Sequence, residues 1–359
     1  MAPPAPADEQ TRSEYHAIEE LYHAYLTGMV LMAVTRKSAA EARELMFHLF
    51  RRQHMERFLP GLVKLGLDAE PDAVASAKYH YLSNHVGGVK VQYIPESDSK
   101  AWVRYLPPRW IFDGTAVCAI PTEVSRAMLV GWHGHNGVSL GNPRLGFVCT
   151  GQTMDGQPGL EGYYLEYDHD LEIGERVAFR PGEIGPRFDP DAVPRLDATS
   201  WPPARLAKAS RNYSMEYIRN ILPVMMELFG PVEARHVAHS TARLIGMQFY
   251  DKVVGQLGAV GSGAAGFAEL MGRLAAGQGD TVVVEPGPGG SVMVHWSGWR
   301  LMRGLTDLPP EVFESWNGLF EGLAGVHDPD LVIEVTARLD RGDQFFSWRI
   351  GPRRSPTAF

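Results

Sequence analysis

The segment Gly131–Gly137, GWHGHNG, sets two histidines and an asparagine among three glycines. An imidazole with a pKa near neutrality can both take and return a proton. His133 or His135 is therefore the candidate general acid/base, and Asn136 could orient a carbonyl or a water. Cys118 stands just before the same predicted helix, where a helix N-terminus could lower a thiol pKa, and could act as a nucleophile. Its other reading is a small buried hydrophobe. Upstream, KYHYLSNHVGG gathers Tyr79, His80, Tyr81, Asn84 and His85 near a helix end, an aromatic floor with several hydrogen-bonding tips. His80 and Asn84 are four apart and share a face. Trp132 would add a wall to the same pocket, and Arg104, on a predicted hairpin with Lys100, could clamp a substrate carboxylate. Solvated histidines on a helix end and exposed strand charges are the plain structural alternatives. His133, His135, His80 and His85 together would also satisfy zinc's preference for nitrogen ligands, so a divalent metal stands as the alternative to a site without cofactor.

What must position these residues is a chain written twice. The run AEARELMFHLFRRQHMERFLPGLVKLGL, ending at Leu67, has the spacing of VEARHVAHSTARLIGMQFYDKVVGQLG, ending at Gly258. Three further pairs follow in the same order: VQYIPESDSKAWVRY with VVVEPGPGGSVMVHW, PTEV with PPEV, and NPRLGFVCTGQTMDG with DPDLVIEVTARLDRG. Apolar residues three and four apart predict helices over about 14–33, 39–66 and 71–85, and again over 214–229, 231–257 and 264–276. Each set leads into a hairpin, a short helix and two last strands. The fold class expected is α+β, an internally duplicated domain, each half a helical layer packed on a roughly four-stranded antiparallel sheet. Residues 1–13 read as disordered, 14–167 as the first repeat, bearing the site, and 214–350 as the second, a scaffold. Between them 168–213 is a Pro-rich connection over the surface, in which ERVAF could add a strand; 351–359 is a tail.

The duplication acts as an internal control: features kept in both halves are expected to serve the fold, and polar groups found in one half are candidates for chemistry. GWHGHNG overlies LFEGLAG, Leu319–Gly325, so Gly134 and Gly137 meet Gly322 and Gly325, and Trp132 meets Phe320. Helix termination and packing account for these. His133, His135 and Asn136 instead face Glu321, Leu323 and Ala324, and so remain as the functional set.

From about Tyr213 to Ile350, the order of helices, hairpin, short helix and DPDLVIEVTARLDRGDQFFSWRI resembles the 2-aminothiazoline-4-carboxylate hydrolase-like family. Asp328, Pro329, Thr336, Gly342 and Asp343 stand at that family's closing positions, whereas its usual cysteines around the last strands are absent, Phe345 and Phe346 opening the closing strand. The resemblance implies a small-molecule hydrolase context, ring opening at a C–N bond, and transfers no catalytic residue. The function expected is accordingly hydrolysis or ring opening of a small amide-like or heterocyclic acid; the alternatives are a non-catalytic ligand-binding or sensor protein and a His-ligated metalloenzyme. A formal charge of −8 without a basic cluster argues against nucleic acid and anionic membrane as partners. Two cysteines form no disulfide framework, and the N-terminus lacks a signal-peptide pattern, which points to a soluble cytoplasmic protein and leaves a homo-oligomer open.

Overall fold

The computed structural model describes residues 6–108, 110–258 and 260–353. Along the chain, α1 (Pro6–Met32), α2 (Ala39–Leu65) and α3 (Asp72–Val86) precede the hairpin β1 (Val91–Ser97) and β2 (Lys100–Tyr105). Then come α4 (Thr122–Gly131), α5 (Asn136–Leu140), β3 (Leu145–Gly151), β4 (Leu160–Glu166) and β5 (Val177–Phe179). The programme repeats as α6 (Pro203–Phe229), α7 (Pro231–Leu257), α8 (Gly263–Gln278), β6 (Thr281–Pro286), β7 (Val292–Ser297), α9 (Pro310–His327), β8 (Leu331–Ala337) and β9 (Phe346–Pro352). Local chemistry fixes the ends of α2: Ser38 Oγ accepts from the Glu41 N–H at 3.1 Å, and Gly66 closes the helix at φ 69°.

The expected α+β class holds, and the two sheets repeat one plan. Their strand orders are β1-β2-β4-β3-β5 and β6-β7-β9-β8, antiparallel except for β5, which lies parallel to β3. The fifth strand is the ERVAF segment. The register matches residue for residue. Ala101 pairs with Tyr164 as Val292 pairs with Ile350, and both β3 and β8 carry an irregularity at the same place, between Cys149 and Gly151 and between Val335 and Ala337. A bulge kept at the same register position in both sheets points to a common plan.

Two boundaries differ from the sequence reading. Residues 6–13, expected to be disordered, already belong to α1, and residues 1–5, with the tail from 354 onward, lie outside the described residues. The connection ends early, because α6 begins at Pro203, where proline suits a first helical turn. The chain forms two compact units, residues 30–206 and a second that joins residues up to 29 with those from 207 onward. In the latter unit, Tyr22 accepts a 2.9 Å hydrogen bond from Trp316 Nε1, and the Tyr25 hydroxyl lies 3.1 Å from the carbonyls of both Ala238 and Ser315.

Within residues 30–206, alternation along the strands separates two faces. Val103, Phe147, Cys149 and Tyr164 pack under the helices with Ala73, Ala77 and Leu129. Trp102, Val148 and Tyr163 face the other way and are covered by the connection through Phe188.

Candidate functional site

Between α2, α3, the α4–α5 junction and the helix-side face of the sheet, the unit of residues 30–206 buries a cluster of polar rings. The junction explains how His133 and Asn136 enter it. Where α9 runs unbroken for 18 residues, the first half stops at Gly131, makes a 3-10 turn over His133–His135 and restarts at Asn136. In a tight turn, residues three apart eclipse, which sends His133 and Asn136 to the same side. Both reach Tyr164 of β4. The Tyr164 hydroxyl is 2.7 Å from His133 Nδ1 and accepts from Asn136 Nδ2 at 2.9 Å. The helix ends at Gly131, as expected, and the glycines of this segment also serve close approach. A Cβ on Gly131 would lie 2.5 Å from the Phe47 carbonyl, and one on Gly137 2.6 Å from the Asn142 and Leu145 carbonyls.

His80 of α3 lies flat on His133, ring centroids 4.0 Å apart and planes at 12°, and its Nδ1 is 3.0 Å from the Tyr105 hydroxyl. His54 of α2 contributes a further ring, its Nδ1 2.9 Å from an Arg51 guanidinium nitrogen. Trp132 packs edge-on to His54 and stacks near Tyr79. His54, His80, Asn136 and Tyr164 are at most 4% exposed. Burial, with the Arg51 cation and His135 adding repulsion, pushes the His54 pKa down to about 3; burial, with His54 adding to it, does the same to His80. Both are neutral at physiological pH. Burial also raises the Tyr164 hydroxyl well above its usual range, so it stays protonated.

Several polar atoms of the cluster lack a hydrogen-bond partner: His54 Nε2, His80 Nε2, Asn136 Oδ1 and Trp132 Nε1. The Asn136 side chain is close enough to His54 to raise its pKa as a hydrogen-bonding neighbour, yet the two atoms do not reach hydrogen-bond geometry. A buried donor or acceptor left in this state costs about 1–3 kcal/mol, so the cluster is not the cheapest way to fill a core.

Beside it, the sheet opens into a cleft of about 340 Å³ where β2 and β3 end and β4 begins. Leu106, Pro107, Pro158 and Ile184 give it apolar walls, and Arg104, Tyr105, Thr150, Gln157, Glu161 and Glu183 polar ones. Thr150 is buried, and its hydroxyl has no partner. Tyr105 belongs to both places, lining the cleft and reaching His80 with its hydroxyl.

The other candidates fall elsewhere. Cys118 is exposed, on a 3-10 turn (Gly114–Cys118) separate from the first turn of α4, while the histidines it would serve are inside. Arg104 is the exception: it lines the cleft, where it forms an ion pair with its cross-strand neighbour Glu161, so its charge is matched within the wall. Asn84 donates to the His80 carbonyl of its own helix at 2.7 Å. Tyr81 rests against Tyr93 and His85 outside the cluster, and His85 is exposed. His135 is half-buried, its Nδ1 2.9 Å from the Val130 carbonyl, and burial beside Arg51 lowers its pKa. The four-histidine metal set therefore does not assemble. Stacked parallel rings such as His80 and His133 cannot aim their lone pairs at one ion, and no group of three or more His, Cys, Asp or Glu side chains among the described residues could hold a metal ion.

The sequence reading missed His54, Arg51, Tyr105 and Tyr164. The comparison between halves could have found two of them, since His54 overlies Gly246 and Tyr164 overlies Ile350. Arg51 is matched by Arg243 and passes as a fold residue. No family model matches the chain, and no curated protein matches it. No described helix is long and apolar enough to cross a membrane.

Proposed function

We propose that residues 30–206 form a small-molecule-binding unit whose ligand occupies the cleft beside Tyr105. The observation that carries this reading is the double role of Tyr105, which lines the cleft and is tied by its hydroxyl to buried His80. A cleft with apolar walls and polar side chains mostly paired within the protein suits a small, largely apolar ligand. It would carry one or two polar atoms that meet Thr150 and Tyr105. The Arg104 charge is matched by Glu161, and Glu183 accepts a hydrogen bond from the Tyr163 hydroxyl at 3.1 Å. An uncharged ligand fits these walls better than the acid expected from Arg104.

Binding is favoured over proton-transfer catalysis by His54 and His80, because an imidazole with a pKa of about 3 is a poor proton acceptor at neutral pH. Hydrolysis of an amide-like substrate is the second reading. Its support is the 2.7 Å Tyr164–His133 pair, with His133 as general base and Asn136 behind the tyrosine. The family resemblance that suggested C–N hydrolysis lies mainly in residues 213–350, which contribute no residue to this cluster.

A thermal-shift screen of small neutral amides and heterocycles, followed by calorimetry, tests the proposal. Thr150→Val is expected to weaken binding about fivefold, the worth of one neutral hydrogen bond. Hits whose affinity ignores Thr150→Val and Tyr105→Phe would place the ligand elsewhere. Turnover abolished by His133→Ala would establish the hydrolytic reading instead.

A further inference from the structure

In the unit that joins residues up to 29 with those from 207 onward, β8 pairs only with β9 among the described residues, which leaves its other edge open. That edge is rich in β-branched residues, LVIEVTA, and has no proline or lysine to discourage pairing. The corresponding edge of β3 is covered: Val177, Ala178 and Phe179 lie parallel to Phe147, Val148 and Cys149. We propose that the β8 edge is a strand-acceptor site whose occupant is Thr357-Ala358-Phe359 of the same chain, outside the described residues, as the counterpart of Val177-Ala178-Phe179.

The two sheets correspond here in three respects. In register, Phe147 pairs with Tyr164 as Ile333 pairs with Ile350, and the irregularities at Cys149/Gly151 and Val335/Ala337 coincide. The Phe147 N–H turns away from β4 and donates to the Arg176 carbonyl at 2.9 Å, so Ile333 presents its N–H to the open edge. In the exit of the chain, the Tyr167 N–H donates to the Arg144 carbonyl at 2.9 Å just after β4, and the Arg353 N–H to the Asp330 carbonyl at 2.7 Å just after β9. Both chains thus leave around the start of the neighbouring strand, toward the edge in question. In sequence, both segments read β-branched residue, alanine, phenylalanine. In the first sheet Val177 and Phe179 join the helix-side core and Ala178 the opposite face. Residues 353–356 must then cover the path that 167–176 take. Passing one strand and advancing two residues requires about 12 Å at ordinary strand spacing. An extended link of that length reaches about 17 Å, which is enough.

Residue-resolved hydrogen exchange by NMR on the full chain tests the proposal. Parallel pairing gives the Ile333 N–H the Pro356 carbonyl, the Ile333 carbonyl the Ala358 N–H, and the Val335 N–H the Ala358 carbonyl. The Ile333 and Val335 amides are expected to exchange about tenfold more slowly in the wild type than in Ala358→Pro, which lacks the middle donor. Val294 of β7 should exchange alike in both, which also shows that the variant is folded. Phe359→Ser keeps every main-chain group and removes the apolar anchor, so an intermediate rate is expected. Equal rates in the wild type and Ala358→Pro would overturn the proposal, as would protection that disappears on dilution, the sign of a second copy on this edge. Should Ala358→Pro lose protection at Val294, Phe359→Ser decides by the same comparison.

Discussion

Tyr164 serves two buried groups with a single hydroxyl, accepting from Asn136 and facing His133 Nδ1. Tyr164→Phe keeps the ring packed on Phe147 but strands both partners, so it should destabilise the unit of residues 30–206 by about 1–3 kcal/mol in urea unfolding. His54 and His80 set a pH dependence. Their folded pKa values, about 3, lie below the ordinary histidine value of roughly 6.5 that the unfolded chain regains. Between those limits the unfolded state binds more protons. Stability from these rings is therefore complete above about pH 6.5 and declines as pH falls, by about 1.4 kcal/mol per pH unit for each histidine. Urea midpoints measured at neutral pH and again near pH 5 should show the decline, and His54→Phe should reduce it. Chemistry-bearing residues were legible in the sequence when their type was unusual for their place, as with His133 and Asn136. Arg104 was placed correctly on a strand and lines the cleft, but Glu161 across the strands matches its charge. Asn84 shared a face with His80, and its own helix backbone took its amide first.

At the scale of elements, the two halves solve one helix-crossing problem with glycine. In the first, Gly131 of α4 meets the Phe47 carbonyl of α2; in the second, Gly246 of α7 meets the Leu319 carbonyl of α9. Gly131→Ala and Gly246→Ala should each cost about 1–3 kcal/mol by overpacking. Gly325→Ala, in the same α9 but facing open space, should be neutral or stabilising by up to about 1 kcal/mol. Thermal unfolding of the three variants separates these outcomes. Periodicity revealed α2, α3, α7 and the hairpins because their apolar residues recur at helical or strand spacing. The end of α4 in GWHGHNG was legible, but the restart as α5 at Asn136 was not. The glycines in GWHGHNG also accommodate α2 and the strand ahead, and the turn brings His133 and Asn136 to Tyr164, which is distant in sequence.

For the whole molecule, membership of α1 is the feature that sequence order hides. Its residues up to Met29 belong to the unit formed from 207 onward, where Tyr22 and Tyr25 are buried against Trp316, Ala238 and Ser315. Hydrogen exchange on Tyr25→Phe should therefore show lost protection in α7 and α9, with β2 and β4 unaffected. Deprotection of β2 and β4 instead would assign α1 to the first repeat, as chain order suggested. The central claim concerns the other unit, and NMR mapping of small neutral amides and heterocycles onto the labelled chain tests it most directly. The account predicts saturable shifts centred on Tyr105, Thr150 and Gly159, with His80 responding through the Tyr105 hydroxyl. Shifts centred outside the cleft, or none across the series, would contradict it.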